Sequence, residues 1–386
     1  MNRSGRRTAR LTGTALLGAI LLLAPAARAQ SGDPIRDAER EADRLLQEVE
    51  REFDRAAAEL DRDWRELVRR QNEEWERLQR EVEAKWREYI PSTRVRWVDH
   101  SASRESRSRV DFEAGEITLE ALADGEKSPE EAAREIEGKI RRRLLAILAE
   151  RAGEPSPLRD QIADRTGSPV TSVTANRYID REVLPRVRID PRPTWSRDRK
   201  RRYGARVRIS LISRHLERRA KRYLDLVRSM ADRFGVAPSR VMAIMHTESA
   251  FNPKAVSPVP AYGLMQLVPR TGALDAYAAV HGRRRILPPA YLYDPRNNVE
   301  LGAAYFSLIK RDYLKSVRRE PHNTYLAIAS YNWGIGNIRR VFLRGRGIRG
   351  LDGGRLLERI LRGAPRETHD YLRRINRREP LYRSLF

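Results

Sequence analysis

The sequence predicts a mainly α chain in three parts: a long N-terminal helix, a small α+β domain, and an all-α domain reaching the C-terminus. Three observations point there. Residues 33–90 carry an 11-residue apolar repeat, residues 92–212 shift to alternation with period two, and residues 216–386 return to helical spacing. A chain of 386 residues allows two or three domains, and 40% hydrophobic residues can build their cores. The 34% that are charged leave room for one long solvated element.

Residues 1–29 read as a secretory signal. Arg3, Arg6, Arg7 and Arg10 precede an apolar run from about Leu11 to Ala24, and Ala27-Arg-Ala29 offers the small-residue cleavage site. The run falls short of the ~20 residues a spanning helix needs. The expectation is a secreted, periplasmic chain with no integral membrane segment after processing. The sequence contains no cysteine, which excludes disulfides, thiol catalysis, thiolate metal sites and a lipid anchor through cysteine.

From Asp33 to about Tyr89, the seam positions step 3, 4, 4 through Ala42, Leu45, Val49, Phe53, Ala56, Leu60, Trp64, Leu67, Gln71, Trp75, Leu78, Val82, Trp86 and Tyr89. Phe53, Trp64, Trp75 and Trp86 fill one slot of successive units. Such a seam advances by about 3.67 residues per turn and predicts a nearly straight or slightly right-handed coil. A helix of this length would reach roughly 85 Å, too long to flank one compact core. Its stripe needs a partner, and three arrangements are open: self-association, folding back on the following domains, or a single solvated helix.

In the second part, Val95 and Trp97, Val110 and Phe112, Ile117 and Leu119, and Val207, Ile209 and Leu211 alternate as half-buried strands do. Glu113-Ala-Gly115 joins two of these runs as a hairpin turn. Ser128-Pro-Glu-Glu131 supplies the cap, first-turn proline and N3 acid of a helix that continues through Ile136, Leu144, Leu145 and Leu148. The Pro/Arg-rich stretch 185–204 reads as a long loop.

The net charge is +24. The signal carries about +5 and the long helix about −5 (13 basic against 18 acidic residues from Pro34 to Tyr89), so the excess lies downstream and points to an anionic partner. Nucleic acid is not that partner: no helix-turn-helix, zinc or RNP pattern appears. Neither metal-ligand spacing nor a Gly-rich phosphate loop is present, and no cofactor is expected.

The last part reads as helices over about Glu217–Phe234, Pro238–Ala250, Asn298–Lys315 and Asn323–Tyr331. Within the second, Val241, Ile244, Met245 and Glu248 fall at i, i+3, i+4 and i+7, so Glu248 extends the stripe that faces the interior. A carboxyl there loses hydration and its pKa rises, since the nearest cations in sequence, Arg240 and Lys254, lie off the stripe. A proton held near neutral pH suits the acid that protonates a glycosidic oxygen. His246 is expected to be exposed. Tyr325, Ile328, Ala329 and Asn332 repeat the spacing, and Gly334 ends that helix.

Four blocks follow one another in this region: Glu248-Ser-Ala-Phe-Asn-Pro253, Gly263-Leu-Met-Gln266, Ala329-Ser-Tyr-Asn-Trp-Gly334 and Glu367-Thr-His-Asp-Tyr371. Together they resemble the signature of the soluble lytic transglycosylase family. The Val110–Leu119 hairpin resembles the domain that precedes the catalytic one in the murein transglycosylase C branch, whose lipid anchor this chain lacks the cysteine to carry. The resemblance implies a lysozyme-like all-α catalytic domain acting on peptidoglycan glycan strands, with Glu248 as acid and then base, and no second carboxylate. The substrate's N-acetyl group would steady the developing cation and its 6-hydroxyl would close on the sugar, leaving a 1,6-anhydro end.

It further implies substrate-binding roles for Ser249, Met265, Gln266, Tyr331 and Asn332. Tyr371 would hold Glu248 through its hydroxyl, and Asp294 would start a helix. The 256–263 loop departs from the pattern at Pro260 and Tyr262. Two other readings stand beside this one: a goose-type lysozyme, which would share fold and acid but release a reducing end, and a non-catalytic cell-wall-binding scaffold.

Overall fold

The computed structural model describes residues 34–149, 156–344 and 347–386, so the signal expected at residues 1–29 lies outside it. The chain divides into two compact units, Met1–Arg62 and Asp63–Phe386, and the border falls inside one helix, Pro34–Lys85. In the first unit that helix exposes its seam: Leu46, Val49 and Phe53 are 42%, 51% and 59% accessible. In the second unit the same seam is covered, with Val82 and Trp86 buried against Leu122. The helix stops at Lys85, four residues before Tyr89, because its last turn is taken by tertiary bonds. The Lys85 ammonium donates to Ser103 O and pairs with Glu105, and the Trp86 indole donates to Arg104 O.

The sheet is antiparallel, in the order β1-β2-β3-β6-β4, with β5 also pairing β6. Its members are β1 (Arg96–His100), β2 (Ser106–Asp111), β3 (Glu116–Asp124), β4 (Arg188–Ile189), β5 (Thr194–Trp195) and β6 (Arg201–Ser210). Stretch 185–204, expected as a loop, instead carries β4 and β5 and the start of β6; two-residue strands are too short to show a period. Register sets Val110 opposite Ile117 and Leu119 opposite Val207, so one face is apolar. The Pro129–Leu148 helix covers it with Ala132, Ile136, Ile140 and Leu144. The helix begins in a full capping box: Ser128 Oγ accepts from Glu131 N, and the Glu131 carboxylate accepts from Ser128 N. On the opposite face Arg107 lies 4.2 Å from the Trp86 ring and pairs with Glu120 at 2.7 Å, which seats the end of the long helix.

Helices make up the remainder. The single helix expected over 217–234 is two, His215–Lys221 and Leu224–Phe234, and the one expected from Asn298 begins earlier as Pro295–Leu308 and runs into a wider turn at Ile309–Tyr313. At their centre lies Pro238–Ser249, buried on nearly every side from Val241 to Ser249. His322–Trp333, Arg366–Arg378 and Pro380–Arg383 pack around the same core. Among the described residues no helix is long and apolar enough to cross a membrane.

Sheet and helices meet on Arg219, which is 1% exposed. Its guanidinium donates to Phe112 O at the hairpin, to Gln161 Oε1 at 2.8 Å and to Ala250 O at 3.2 Å, and among the described residues no carboxylate pairs with it. Burial lowers its pKa to about 10, so it stays cationic at neutral pH. Replacing it removes one donor from three buried acceptors at once. We expect Arg219→Met to cost about 3 kcal/mol in urea unfolding. A loss below about 1 kcal/mol would mean that water reaches those carbonyls and the contact is loose.

Candidate active site

Glu248 occupies the last turn of the Pro238–Ser249 helix, 6% exposed. Burial raises its pKa from 4.5 to about 7. The Tyr371 hydroxyl, Arg94 and Arg374 pull it down against that dominant effect, and Glu367 adds slightly to the rise. The sequence expectation of no nearby cation needs correction. Arg94 Nη1 stands 3.8 Å from Glu248 Oε2, brought by a segment 154 positions earlier (248 − 94) that nothing in local spacing reveals.

His246 is a second correction, being 8% exposed rather than solvated. Its Nδ1 lies 2.8 Å from the Tyr382 hydroxyl, and its ring stacks on Phe251 with centroids 5.7 Å apart. The helix is buried all round, so its back is as dry as its front, and desolvation depresses the His246 pKa to about 3. The neutral imidazole is structural packing behind the acid.

Beyond Glu248 the backbone takes left-handed values at two non-glycine residues, Ala250 (φ 49°) and Phe251 (φ 59°). This turns the chain sharply out of the helix, and Arg219 holds the Ala250 carbonyl in that turn. Ser249 lies wholly inside. Its hydroxyl meets Met245 O (2.9 Å) and Leu264 O (2.8 Å), so it ties the helix to the next block instead of reaching a sugar.

That block, Tyr262–Leu267, closes on itself through Tyr262 N to Leu267 O and Leu267 N to Tyr262 O, both 3.1 Å. Asn298 saturates its interior, donating to Tyr262 O and Leu292 O and accepting from Met265 N. Gly263 has φ +76°, and a Cβ there would stand 2.3 Å from Leu292 O and 2.4 Å from Asn298 Nδ2. Met265 is fully buried with its sulfur against Gly302, where a Cβ would come within 2.2 Å, so it is a core side chain and not an open wall. Gln266 is different. Held at φ 48°, it spends its Nε2 on Gly263 O, while its Oε1 is buried with no partner. An unmatched acceptor costs about 1–3 kcal/mol, which an incoming N–H or hydroxyl would recover.

Tyr331 donates to Met265 O at 2.9 Å, and Asn332 Oδ1 accepts from Thr368 Oγ1 at 2.8 Å, so His322–Trp333 links the turn to the late block. Tyr371 is fully buried, and its hydroxyl makes no well-formed hydrogen bond although it stands close enough to lower the pKa of Glu248. Burial and the Glu248 charge push both tyrosines well above their ordinary value, so they are neutral hydroxyls. Glu248, Tyr331 and Tyr371 thus form one group, with Gln266 joined through the turn. Asp294 caps Pro295–Leu308 by accepting from Asn297 N at 2.7 Å. Among the described residues no cluster of three or more His, Asp or Glu is placed to hold a metal.

The family profile described as "Transglycosylase SLT domain" matches residues 225–347. The membrane-bound lytic murein transglycosylase C of Edwardsiella ictaluri is 32% identical over 311 residues, covering 75% of this chain and 82% of that protein. Its namesake in Klebsiella pneumoniae is 31% identical over 263 residues, 64% and 68% of the two chains. Among solved structures, the 70 kDa soluble lytic transglycosylase of Escherichia coli is 29% identical at a TM-score of 0.36, covering 44% of this chain and 26% of its own. This chain therefore spans about a quarter of that longer protein.

The raised pKa has a consequence for stability. Folded Glu248 holds its proton to about pH 7, whereas an unfolded glutamate releases it near 4.5. Its neutral form contributes fully below pH 4.5, and that contribution is lost as pH rises through 7. The shift corresponds to about 3 kcal/mol. Glu248→Gln should therefore gain about 3 kcal/mol on the wild type between pH 4.5 and pH 8 in urea titrations. A difference that stays flat with pH would show the carboxyl to be hydrated.

Proposed function

Since this chain belongs to the lytic murein transglycosylase family, we propose that it cleaves the β-1,4 bond between N-acetylmuramic acid and N-acetylglucosamine in peptidoglycan, leaving 1,6-anhydro ends. The observation that carries this reading is the single buried acid. Glu248, with a pKa of about 7, protonates the leaving oxygen and, once ionised, takes the proton of the 6-hydroxyl as it closes. Among the described residues the other carboxylate that bears on Glu248, Glu367, is exposed to water, which fits chemistry without a paired nucleophile. Intramolecular closure replaces attack by water and lowers the barrier by several kcal/mol when the hydroxyl is well placed. Gln266 Oε1 and the amide of Asn332 then meet the N-acetyl group and sugar hydroxyls, Tyr331 and Tyr371 wall the acid with neutral hydroxyls, and Ser249 and Met265 support from within.

The chain works outside the cytoplasmic membrane, exported through residues 1–29 into the periplasm; its relatives are named membrane-bound. The exposed Leu46–Phe53 seam associates with a second copy of itself.

Mass spectrometry of products from purified peptidoglycan tests the chemistry. Anhydro-muramyl ends are expected, with activity falling about tenfold per pH unit above 7 as Glu248 ionises and a loss of 10²–10⁴-fold in Glu248→Gln. Reducing ends would make the enzyme a goose-type lysozyme, and no activity to lose would leave a wall-binding scaffold. Sedimentation of Phe53→Glu should give a smaller species than the wild type, and equal masses would discard self-association through that seam.

A further inference from the structure

Between the sheet domain and the acid helix lies a cleft of about 250 Å³, whose lining includes Thr93, Arg94, Glu113, Thr247 and Arg374. Glu248 does not line it, and Arg94 spans the gap, with Nη1 3.8 Å from the acid. The backbone of this segment is fixed from both domains. Asn252 Nδ2 donates to Arg94 O at 3.2 Å, and Phe112 N donates to Val95 O at 2.9 Å.

Two guanidiniums thus flank one cleft. Among the described residues the one carboxylate within 4 Å of Arg94 is Glu248, and Arg374 has none, its Nε donating to the backbone oxygen of Asp370 at 3.3 Å. The acidic wall of the cleft, Glu113, is already paired with Arg378 at 3.5 Å. While Glu248 keeps its proton, neither Arg94 nor Arg374 has an anionic partner among the described residues.

Resting on the reading above that the substrate is peptidoglycan, we propose that this cleft is an anion subsite in which Arg94 and Arg374 take a carboxylate of the strand being cut. That carboxylate is carried either by the peptide stem or by the lactyl group left when the stem is gone. The cleft has room for a carboxylate together with the atoms that carry it. Arginine forks match carboxylates in plane, and a site facing two of them prefers a charged branch to a neutral one. A carboxylate seated there also cancels the cation that favours ionisation of Glu248, so correct docking keeps the acid loaded. This makes the sheet domain a reader of the substrate as well as a neighbour.

The test uses full-length Glu248→Gln protein, which holds glycan without cutting it, and calorimetry at low salt. Three soluble murein fragments are compared: with intact stems, with stems removed at the lactyl amide, and with every carboxyl capped as a methylamide. Adding Arg94→Gln or Arg374→Gln should weaken binding of the intact fragment about tenfold and leave the capped fragment unchanged. Arginine dependence of the intact fragment that vanishes with the stem assigns a peptide carboxylate, dependence confined to the stem-free fragment assigns the lactyl carboxylate, and dependence on both shows that the subsite takes either. Equal weakening on capped and uncapped fragments, or none on either, overturns the subsite. Should a Gln variant lose its cooperative melt, Arg94→Lys takes its place, keeping charge but not the fork, with a threefold loss expected on the intact fragment alone. Failure of the parent to bind any fragment would instead sink the peptidoglycan reading itself, and reducing-end products would change the chemistry while leaving this comparison intact.

Discussion

The burial of one carboxyl group is the constraint around which the helical domain is arranged. Glu248 lies on a helix with no wet side, and water is kept from it by packing on every flank. Removing hydration favours the neutral acid, and complete isolation would push the pKa higher still. Arg94, Arg374 and the Tyr371 hydroxyl all act against burial, and the value near 7 is the balance of these opposed effects. Each unit of pKa is about 1.4 kcal/mol, so the distance of one guanidinium can tune the acid.

A second consequence follows for the turn at Tyr262–Leu267. A block that holds Gln266 in a left-handed conformation cannot rely on local preference, because that backbone is uphill for a side chain with a Cβ. It is held from outside by Asn298, by Ser249 Oγ on Leu264 O and by Tyr331 on Met265 O. Two of these three clamps are residues the sequence suggested for substrate. Their hydroxyls are occupied by the protein, and what they contribute is the placement of a neighbour whose own acceptor is left open.

Much of this was legible in the chain itself. Ser128 and Glu131 advertised their helix start because capping is local, and the strands through Val110, Ile117 and Val207 showed their period because one face is covered by a single helix. Glu248 was visible for the same reason, one stripe of a helix pointing inward. His246 was not, since periodicity assumes a solvated back that a central helix lacks. Arg94 was beyond reach altogether: its meeting with Glu248 depends on how two domains pack, and no spacing encodes that. The long helix shows both cases within one element, with a repeat plain in sequence and a covering that exists for Val82 and Trp86 but not for Phe53.

These long-range contacts bear on how the sheet domain is attached. A spacer could be attached to the helices by any adhesive surface, apolar or polar. Here the attachment runs through a buried cation, Arg219, whose three acceptors include the hairpin carbonyl at Phe112 and the carbonyl of Ala250, two residues after the acid. Charged groups are costly to bury without a carboxylate partner, and a hydrophobic contact of equal area would be the cheaper glue. What the costly arrangement adds is direction. Hydrogen bonds from one planar group fix the hairpin relative to the end of the acid helix, and the same packing sets Arg94, seventeen residues before Asp111 (111 − 94), beside Glu248. An angular slip of the domain by a few degrees would move that guanidinium by an ångström or more and shift the acidity of the site with it. The acid strength of Glu248 is therefore a property of both domains together.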